Sequence, residues 1–574
     1  MDKYDKIIDL TKRRGFLWNS FEIYGGIAGF FDYGPLGAIL KSSVINTWRK
    51  HYIINEGFYE IDSPTVNPYE VLKASGHVEN FTDPLVECKS CLESFRADHI
   101  IEENIEVDTE GKTLNELQEM IEKNNIKCPK CGGEFKEVNT FNLMFATSIG
   151  PGGKRAAFMR PETAQGIFIQ FKRISQFFRN KLPYGAVQIG KAYRNEISPR
   201  QGVIRLREFT QAEAEFFIDS RKKENFEKFE SVKDLILPLL PGKNQENESL
   251  SSEEKIVRMS LGDAVKNKII AHEAIAYYIA VTKKFLMDIG IDETKLRFRQ
   301  HLPNEMAHYA ADCWDAELYT DRYGWIECVG IADRTDYDLR AHMKNSGEDL
   351  SVFVEFDESK EIEVYEIELN YKLVGKTFKG DAKILEESLK ELSNDKMEEL
   401  IKTLKNNEKY ILKTCKRDFE VLNEYLTVKK VKKNVTGEKI VPHVIEPSYG
   451  IDRITYCVIE HAFKEEDDRT LLAFVNTVSP VKVGVFPLVN KEGMDEIAEN
   501  LKNKFRKNGI IAEYDDSGAI GRRYMRMDEI GTPFCVTVDG ETLKDNTVTI
   551  RERDSREQFR IPLDGVVDYI KEKL

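Results

Sequence analysis

The sequence predicts a multidomain chain of mixed α and β structure that closes on an α/β domain. Three observations carry that expectation. A length of 574 residues is too great for one core and implies three or four units. Two Cys-x-x-Cys pairs, Cys88/Cys91 and Cys128/Cys131, bracket a stretch that reads as an insertion. From Pro480 onward, short apolar strands alternate with helices, the pattern of an α/β unit with a largely parallel sheet.

Taken in order, residues 1–87 hold a helix and then a strand. Gly34-Pro35-Leu36-Gly37 opens a helix to about Glu56, with Leu36, Leu40, Val44, Trp48 and Tyr52 recurring every fourth position. Gly57 ends it, and Phe58–Asp62 reads as a strand stopped by Ser63-Pro64. Residues 88–140 form the cysteine-bearing insertion, with a short helix over Thr113–Lys123. Residues 141–344 carry a strand from Val187 to Arg194 and a mostly helical part at 220–300, including an apolar helical pattern over Lys266–Met287. Residues 345–440 read as a second insertion, with a charged helical stretch from Ala382 to Asn407 and the basic run Lys429-Lys430-Val431-Lys432-Lys433. Residues 441–478 return to the core. Residues 479–574 are the α/β unit: strand Val481–Pro487, helix Asp495–Lys507, strand Ile510–Tyr514, a basic turn, and strands Phe534–Val538 and Thr547–Arg551.

Composition excludes several classes. The chain is 41% hydrophobic, with no apolar run long enough for a membrane helix and no apolar core near Met1 for a secretory signal, so a cytoplasmic location is expected. A net charge of −14 argues against a generally basic nucleic-acid-coating surface but leaves room for local patches. Nine cysteines, an odd number without a signal segment, argue against a disulfide framework. Cys88, Cys91, Cys128 and Cys131 have the spacing for tetrahedral thiolate ligation of zinc, with no open position and hence a structural role. Cys313, Cys328, Cys415, Cys457 and Cys535 read as small buried hydrophobes.

Three blocks carry the chemistry. Tyr193-Arg194-Asn195-Glu196 is closed by Arg205-x-x-x-Phe209; Gly450-Ile451-Asp452-Arg453 is the second; Arg160-Pro161-Glu162-Thr163-Ala164-Gln165-Gly166 is the third. Glu196 shares the strand face of Arg194, and Phe209 that of Arg205. The set, in this order and spacing, resembles the signature of class II aminoacyl-tRNA synthetases, and the third block resembles the glycyl type found in archaea and eukaryotes. The resemblance extends over Trp18, Asp32–Gly37, Asn304–Ala310 and the C-terminal domain.

That resemblance implies an α+β core, an antiparallel sheet flanked by helices, with insertions and a C-terminal anticodon-binding domain. The helix–strand pair before Pro64 would be the homodimer interface. The implied activity is glycine–tRNA ligation: glycine and ATP give glycyl-adenylate and pyrophosphate, and glycine then passes to the 3′ end of tRNA(Gly). In the activation step arginines would neutralise phosphate charge as it builds. Arg194 and Arg453 are the implied catalytic residues. The ATP set is Arg194, Asn195, Glu196, Ile204, Arg205, Phe209, Glu327, Cys328, Arg334, Gly450 and Arg453, with Phe209 under adenine, Glu327 binding Mg2+ beside ATP and Arg334 a further phosphate ligand. The glycine set is Arg96, Glu162, Phe209, Gln211, Glu213, Glu446, Ser448 and Gly450. His77 closes the pocket, contacts tRNA or is structural. For tRNA, Arg522, Arg523, Tyr524 and Arg526 combine cations with an aromatic ring, which suits single-stranded RNA and equally a solvated basic helix face. Lys429–Lys433 is a further candidate tRNA contact. Two other readings stay open: another class IIa synthetase, and a non-catalytic nucleic-acid-binding relative that would have lost Arg194, Glu196 or Arg453.

Overall fold

A computed structural model describes residues 2–574 apart from 106, 108, 110, 200, 308, 391, 393, 407, 408, 415 and 416. Arg200, His308 and Cys415 therefore lie outside the described residues. Contacts divide the chain into two units, Met1–Leu350 with Val441–Leu574, and Ser351–Ile440. No helix among the described residues is long and apolar enough to cross a membrane.

The first unit starts with α1 (Lys3–Arg13), capped by the Asp2 carboxylate, which accepts from the Asp5 N–H. Next comes α2 (Pro35–Arg49), with Pro35 at its first turn. It continues as a π-helical turn over Lys50–Asn55, and the fourfold stripe Leu40, Val44, Trp48 and Tyr52 is fully buried along it. A nine-stranded sheet follows: β1 (Tyr59–Glu60), β2 (Tyr184–Tyr193), β3 (Glu208–Ile218), β4 (Ile236–Leu240), β5 (Val257–Ser260), β6 (Leu296–Gln300), β7 (Cys313–Thr320), β8 (Gly324–Thr335) and β9 (His443–Gly450). Its order is β5-β4-β6-β7-β8-β9-β3-β2-β1. Only β1/β2 and β4/β6 run parallel; the other neighbours are antiparallel.

One sheet face packs on α2, on α3 (Glu273–Asp288) and on α5 (Ile451–Ala462); α4 (Tyr337–Ser346) follows β8. Strand alternation decides which side chains face the helices. Ala212, Ala214, Phe216 and Ile218 of β3, with Ile445 and Tyr449 of β9, belong to that core. The Tyr449 hydroxyl ties the layers together, 2.8 Å from Tyr52 Oη and 2.7 Å from Thr282 Oγ1. The apolar pattern over Lys266–Met287 is broken: a short helix ends at Lys266, and His272 caps α3 by accepting from the Ile275 N–H.

The cysteine-bearing segment folds around its own small core of Val86, Phe95, Ile101, Leu117 and Ile121. Its helix Leu114–Lys123 opens on a reciprocal capping box between Thr113 and Glu116. The C-terminal region comprises β10 (Val483–Pro487), α6 (Met494–Lys507), β11 (Ala512–Tyr514), α7 (Ile520–Glu529), β12 (Phe534–Val538), β13 (Thr547–Glu552) and β14 (Gln558–Pro562), in sheet order β11-β10-β12-β13-β14. Only β11, β10 and β12 are parallel; β13 and β14 are antiparallel because the links before them are too short for a crossover. The stretch expected as a basic turn is helix α7, whose Arg523, Met527 and Ile530 recur at helical spacing and are buried.

The second unit, Ser351–Ile440, pairs two long strands, Val352–Leu369 and Leu426–Ile440, beside helices Tyr371–Phe378, Ala382–Lys390 and Asn394–Lys405. The basic run is matched across the ladder: Lys429 with Glu368, Lys430 with Glu363, Lys432 with Glu361 and Lys433 with Glu366. Its charge is therefore largely spent within the unit, which weakens its candidacy as an RNA contact.

Gly37 marks the tightest approach in the α2 region: a Cβ there would lie 1.9 Å from the Phe16 carbonyl oxygen. Gly37→Ala is expected to destabilise the first unit by at least about 1–3 kcal/mol, measured as a lowered denaturant midpoint, because backbone must shift to admit the methyl group. A wild-type midpoint would contradict this packing.

Candidate active site

The sheet face opposite α2, α3 and α5 carries polar side chains. On β3 the alternate positions are Phe209, Gln211, Glu213, Glu215 and Phe217; on β9 they are Glu446, Ser448 and Gly450. Pairing places Glu213 opposite Ser448 and Gln211 opposite Gly450. Where β2, β3, β8, β9 and the start of α5 converge, a cleft of about 620 Å³ opens. It is lined by Arg194, Glu196, Ile204, Arg205, Phe209, Gln211, Glu327, Cys328, Ser448, Gly450, Asp452 and Arg453, among others.

The outer part of the cleft is cationic. Arg194 lies between the rings of Phe81 and Phe209, at 5.3 and 5.4 Å from their centroids. Arg453 donates through Nε to the Ile204 carbonyl at 2.9 Å and through Nη1 to the Glu327 carbonyl at 2.7 Å. Arg205 lies 3.8 Å from the Glu196 carboxylate. Burial pulls the Arg205 guanidinium below its ordinary value; Glu196 opposes this, while Arg96 and Arg453 add to it. Such crowding of like charge is relieved by an anion. Arg207, which sequence reasoning did not single out, braces the loop by donating to the Glu196 and Ala28 carbonyls.

The deep end is carboxylate-rich. Glu213 accepts from the Thr163 N–H at 2.7 Å, from Thr163 Oγ1 at 2.5 Å and from Ser448 Oγ at 2.8 Å. Gln211 Nε2 donates to Ser448 Oγ at 3.0 Å, linking floor to cleft. Glu162 accepts from Gln165 Nε2 at 2.9 Å and faces His77 at 3.5 Å. At the centre is Arg334, 1% exposed. Its Nη1 donates to both Glu446 oxygens, at 2.9 and 2.8 Å, and its Nε and Nη2 form a fork on Asp338 at 2.8 and 3.1 Å. It lies 3.9 Å from the Tyr309 ring centroid and 3.7 Å from Glu162. Burial opposes charge on Glu162, but His77 and then Arg334 outweigh it and hold its carboxyl below the usual range. Burial pushes Glu446 up to about 8 against Arg334, helped by Glu213 and Glu162. Glu213 is raised as well, first by burial and then by Glu162.

The predicted residues thus fall into two adjoining groups. Arg194, Glu196, Ile204, Arg205, Phe209, Glu327, Cys328, Gly450 and Arg453 line the cleft, while Glu162, Glu213 and Glu446 form its floor, joined through Gln211 and Ser448. Arg334 departs from its expected place among the phosphate ligands: it is enclosed by Asp338, Glu446 and Glu162 and does not line the cleft. Asn195 is also absent from the lining; its N–H donates to the Leu143 carbonyl at 2.6 Å. Arg96 stands apart from the floor, paired with Asp83 at 2.9 Å and Asp98 at 2.5 Å.

On α7, Arg523 is buried and donates to the carbonyls of Pro487, Asp516 and Gly518, so it is not presented to RNA. Arg526 pairs with Asp515 at 2.6 Å, and the Tyr524 hydroxyl bonds Thr537 at 2.7 Å; Arg522 and Met525 are exposed.

Sequence reasoning missed Thr163, Gln165 and Asp338, which orient the floor, and Lys41, whose Nζ donates to Asp452 at 2.7 Å.

The four cysteines of the two pairs come together: all four sulfurs lie within 4.8 Å of one another, with Cys88–Cys131 at 3.5 Å and Cys91–Cys128 at 3.7 Å. The Cys88 thiol is pulled down to about 6, first by the Cys91 N–H. Gly133 keeps the cradle open, because a Cβ there would sit 3.0 Å from Cys88 Sγ.

Comparison with known proteins agrees with this architecture. Residues 151–462 match the family model described as tRNA synthetase class II core domain (G, H, P, S and T), and residues 482–573 match that described as anticodon binding domain. In structure the chain is similar to a Giardia lamblia prolyl-tRNA synthetase in complex with prolyl-adenylate, with TM-score 0.52 and 13% identity over 98% of this chain and 74% of the other; this shows the fold alone. In sequence it is 88% identical to the glycine–tRNA ligase of Methanococcus maripaludis over 100% of both chains. It is 66% identical to that of Methanocaldococcus jannaschii, over 100% of this chain and 99% of the relative. The chain belongs to the class II aminoacyl-tRNA synthetases, in their glycine–tRNA ligase family.

Replacing Arg334 tests the floor. Arg334→Lys loses the fork on Asp338 and leaves buried carboxylates underpaired, at an expected cost of about 3–5 kcal/mol in stability. In whatever folds, glycine-dependent pyrophosphate exchange is expected to fall at least about 100-fold, with the ATP dissociation constant within about threefold. An equal loss of ATP affinity would return Arg334 to the phosphate set.

Proposed function

We propose that the arginine-lined cleft holds ATP, that the carboxylate floor holds the ammonium of glycine, and that the two are joined into glycyl-adenylate where the regions meet. The observation that carries this reading is their adjacency: Gln211 and Ser448 line the cleft, and Ser448 is hydrogen-bonded to Glu213. Adenine would rest on Phe209, with Glu196 reading its amino group. A glycine carboxylate oxygen bonds the α-phosphorus as the bond to the β-phosphate oxygen breaks and pyrophosphate leaves. Arg194 neutralises the α-phosphate and substrate carboxylate, and Arg453 the departing phosphates. Mg2+, an oxygen-seeking ion, would be held by Glu327 and would screen the phosphate charge. In the second step the tRNA(Gly) terminal hydroxyl attacks the carbonyl carbon, AMP leaves, and an adenylate phosphate oxygen or a water takes the proton.

Glycine has no side chain to grip, so recognition rests on the ammonium and on denying space to a β-carbon. With all twenty amino acids tested singly, pyrophosphate exchange is expected with glycine and at least about 100-fold less with alanine. Exchange with another amino acid would sink the floor assignment, and exchange with none, from folded protein with Mg2+ present, would leave a binding-only relative.

Homodimer formation is supported by the open sheet edge at β1, where Tyr59 and Phe177 are 54% and 63% exposed and their rings pack 4.9 Å apart. Anticodon contact falls to the C-terminal region, with Arg522 the outward cation of α7. The reaction and its tRNA suit the cytoplasm.

The four clustered thiols fit zinc: four soft donors, a closed set, and glycine where a side chain would intrude. Elemental analysis is expected to find about one zinc per chain, and Cys131→Ser to lower both zinc content and the thermal stability of the insertion. Zinc-free protein with wild-type stability would remove the metal from the account.

A further inference from the structure

Glu215 is fully buried, and among the described residues neither of its carboxyl oxygens has a hydrogen-bond partner. It stands on the polar face of β3, one step deeper than Glu213 and before Phe217, whose ring packs on Phe171 at 5.0 Å. Oxygens of Glu213, Glu215 and Glu446 lie within 4.8 Å of one another. The other two have their own donors, Thr163 and Ser448 for Glu213 and Arg334 for Glu446. The charged groups facing Glu215 are Glu446 from β9, Glu213 from its own strand, Arg334 from β8 and Asp338 from α4. Beyond them stand Glu162, His77 and the Tyr309 ring around Arg334.

Arg334 is already committed to Asp338 and Glu446, and among the described residues no other cation is hydrogen-bonded to Glu215. Buried charge without a partner is strongly disfavoured, whereas a neutral carboxylic acid can donate its proton to a neighbouring carboxyl oxygen. We propose that Glu215 is a positioning residue: it remains a neutral acid, donates a hydrogen bond to Glu446, and so fixes the carboxylates that receive the substrate ammonium. Burial, and next the charge of Glu446, push the Glu215 carboxyl well above the ordinary range, in the same direction. A neutral acid retained as a hydrogen-bond donor is a known use of burial in active sites. The inference rests on assigning the floor to the glycine ammonium.

The test uses the full chain. Infrared spectra of glycine-free protein are expected to show a protonated-carboxyl carbonyl band that persists at neutral pH and disappears in Glu215→Gln. Glu215→Gln, neutral and still a donor, is expected to keep the glycine KM within about threefold, while Glu215→Leu raises it at least about 10-fold with ATP KM and kcat little changed. Three results would overturn the proposal: no band lost in Glu215→Gln; a loss of glycine binding in Glu215→Gln as severe as in Glu213→Gln, which marks an ionised ligand; or wild-type glycine KM in folded Glu215→Leu. Should Glu215→Leu fail to fold, the infrared band and the Glu215→Gln kinetics still decide. A band present in protein that shows no glycine-dependent exchange would remove the floor assignment while leaving Glu215 neutral.

Discussion

A single buried guanidinium holds the deep end of the site together. Arg334 forks onto Asp338, donates to both oxygens of Glu446 and lies against Tyr309, so three elements, β8, α4 and β9, converge on one cation. Around it stand more carboxylates than it can neutralise. On the proposed reading, that surplus is what makes the pocket selective for a small cation, because an ammonium would supply the missing charge. Gln165 extends the arrangement, donating to both Glu162 and Asp338 and accepting from His342.

The rest of the molecule supports this point by alternation. On β3 every second residue is small or apolar and enters the core with α2, α3 and α5, while the intervening residues build the site. Because a one-residue slip would exchange the two faces, the core that seats Phe216 and Ala214 also fixes Glu213 and Gln211. The cleft uses the same device at its other end, where Gly450 closes β9 and Arg453 stands in the first turn of α5, braced on the backbone carbonyls of Ile204 in a 3-10 turn and Glu327 in β8. Cationic cleft and anionic floor thus belong to one sheet face, and the proposed seating of a zwitterionic amino acid, each end toward its counter-charge, rests on that arrangement.

Much of this was legible in the sequence, and the residues show why. The stripe along α2, the short helix after Thr113 and the two cysteine pairs are local patterns whose cause lies within a few residues. Gln211 and Glu213 were legible only through the family resemblance of the block they stand in, and the structure places both, with Phe209, on one face of β3 because a strand's period is two. The setting of Arg334 was not legible, since an arginine inside Ala-Asp-Arg-Thr gives no hint that its fork closes on Asp338 and Glu446 rather than on a phosphate. The same limit applied to the basic patches. Lys429–Lys433 finds its acids more than sixty positions earlier in the chain, and Arg523 points inward to carbonyls, neither of which composition reveals. Glu215 looked like any glutamate until burial and lack of partners distinguished it.

The most direct test of the account is a crystal structure of the protein with a non-hydrolysable glycyl-adenylate analogue. The account predicts the analogue's amino group on the floor of Glu162, Glu213 and Glu446 beside Ser448, its adenine on Phe209, and its phosphate on Arg194, with Arg334 still closed on Asp338. An amino group held anywhere else, or a phosphate bound by Arg334, would contradict it.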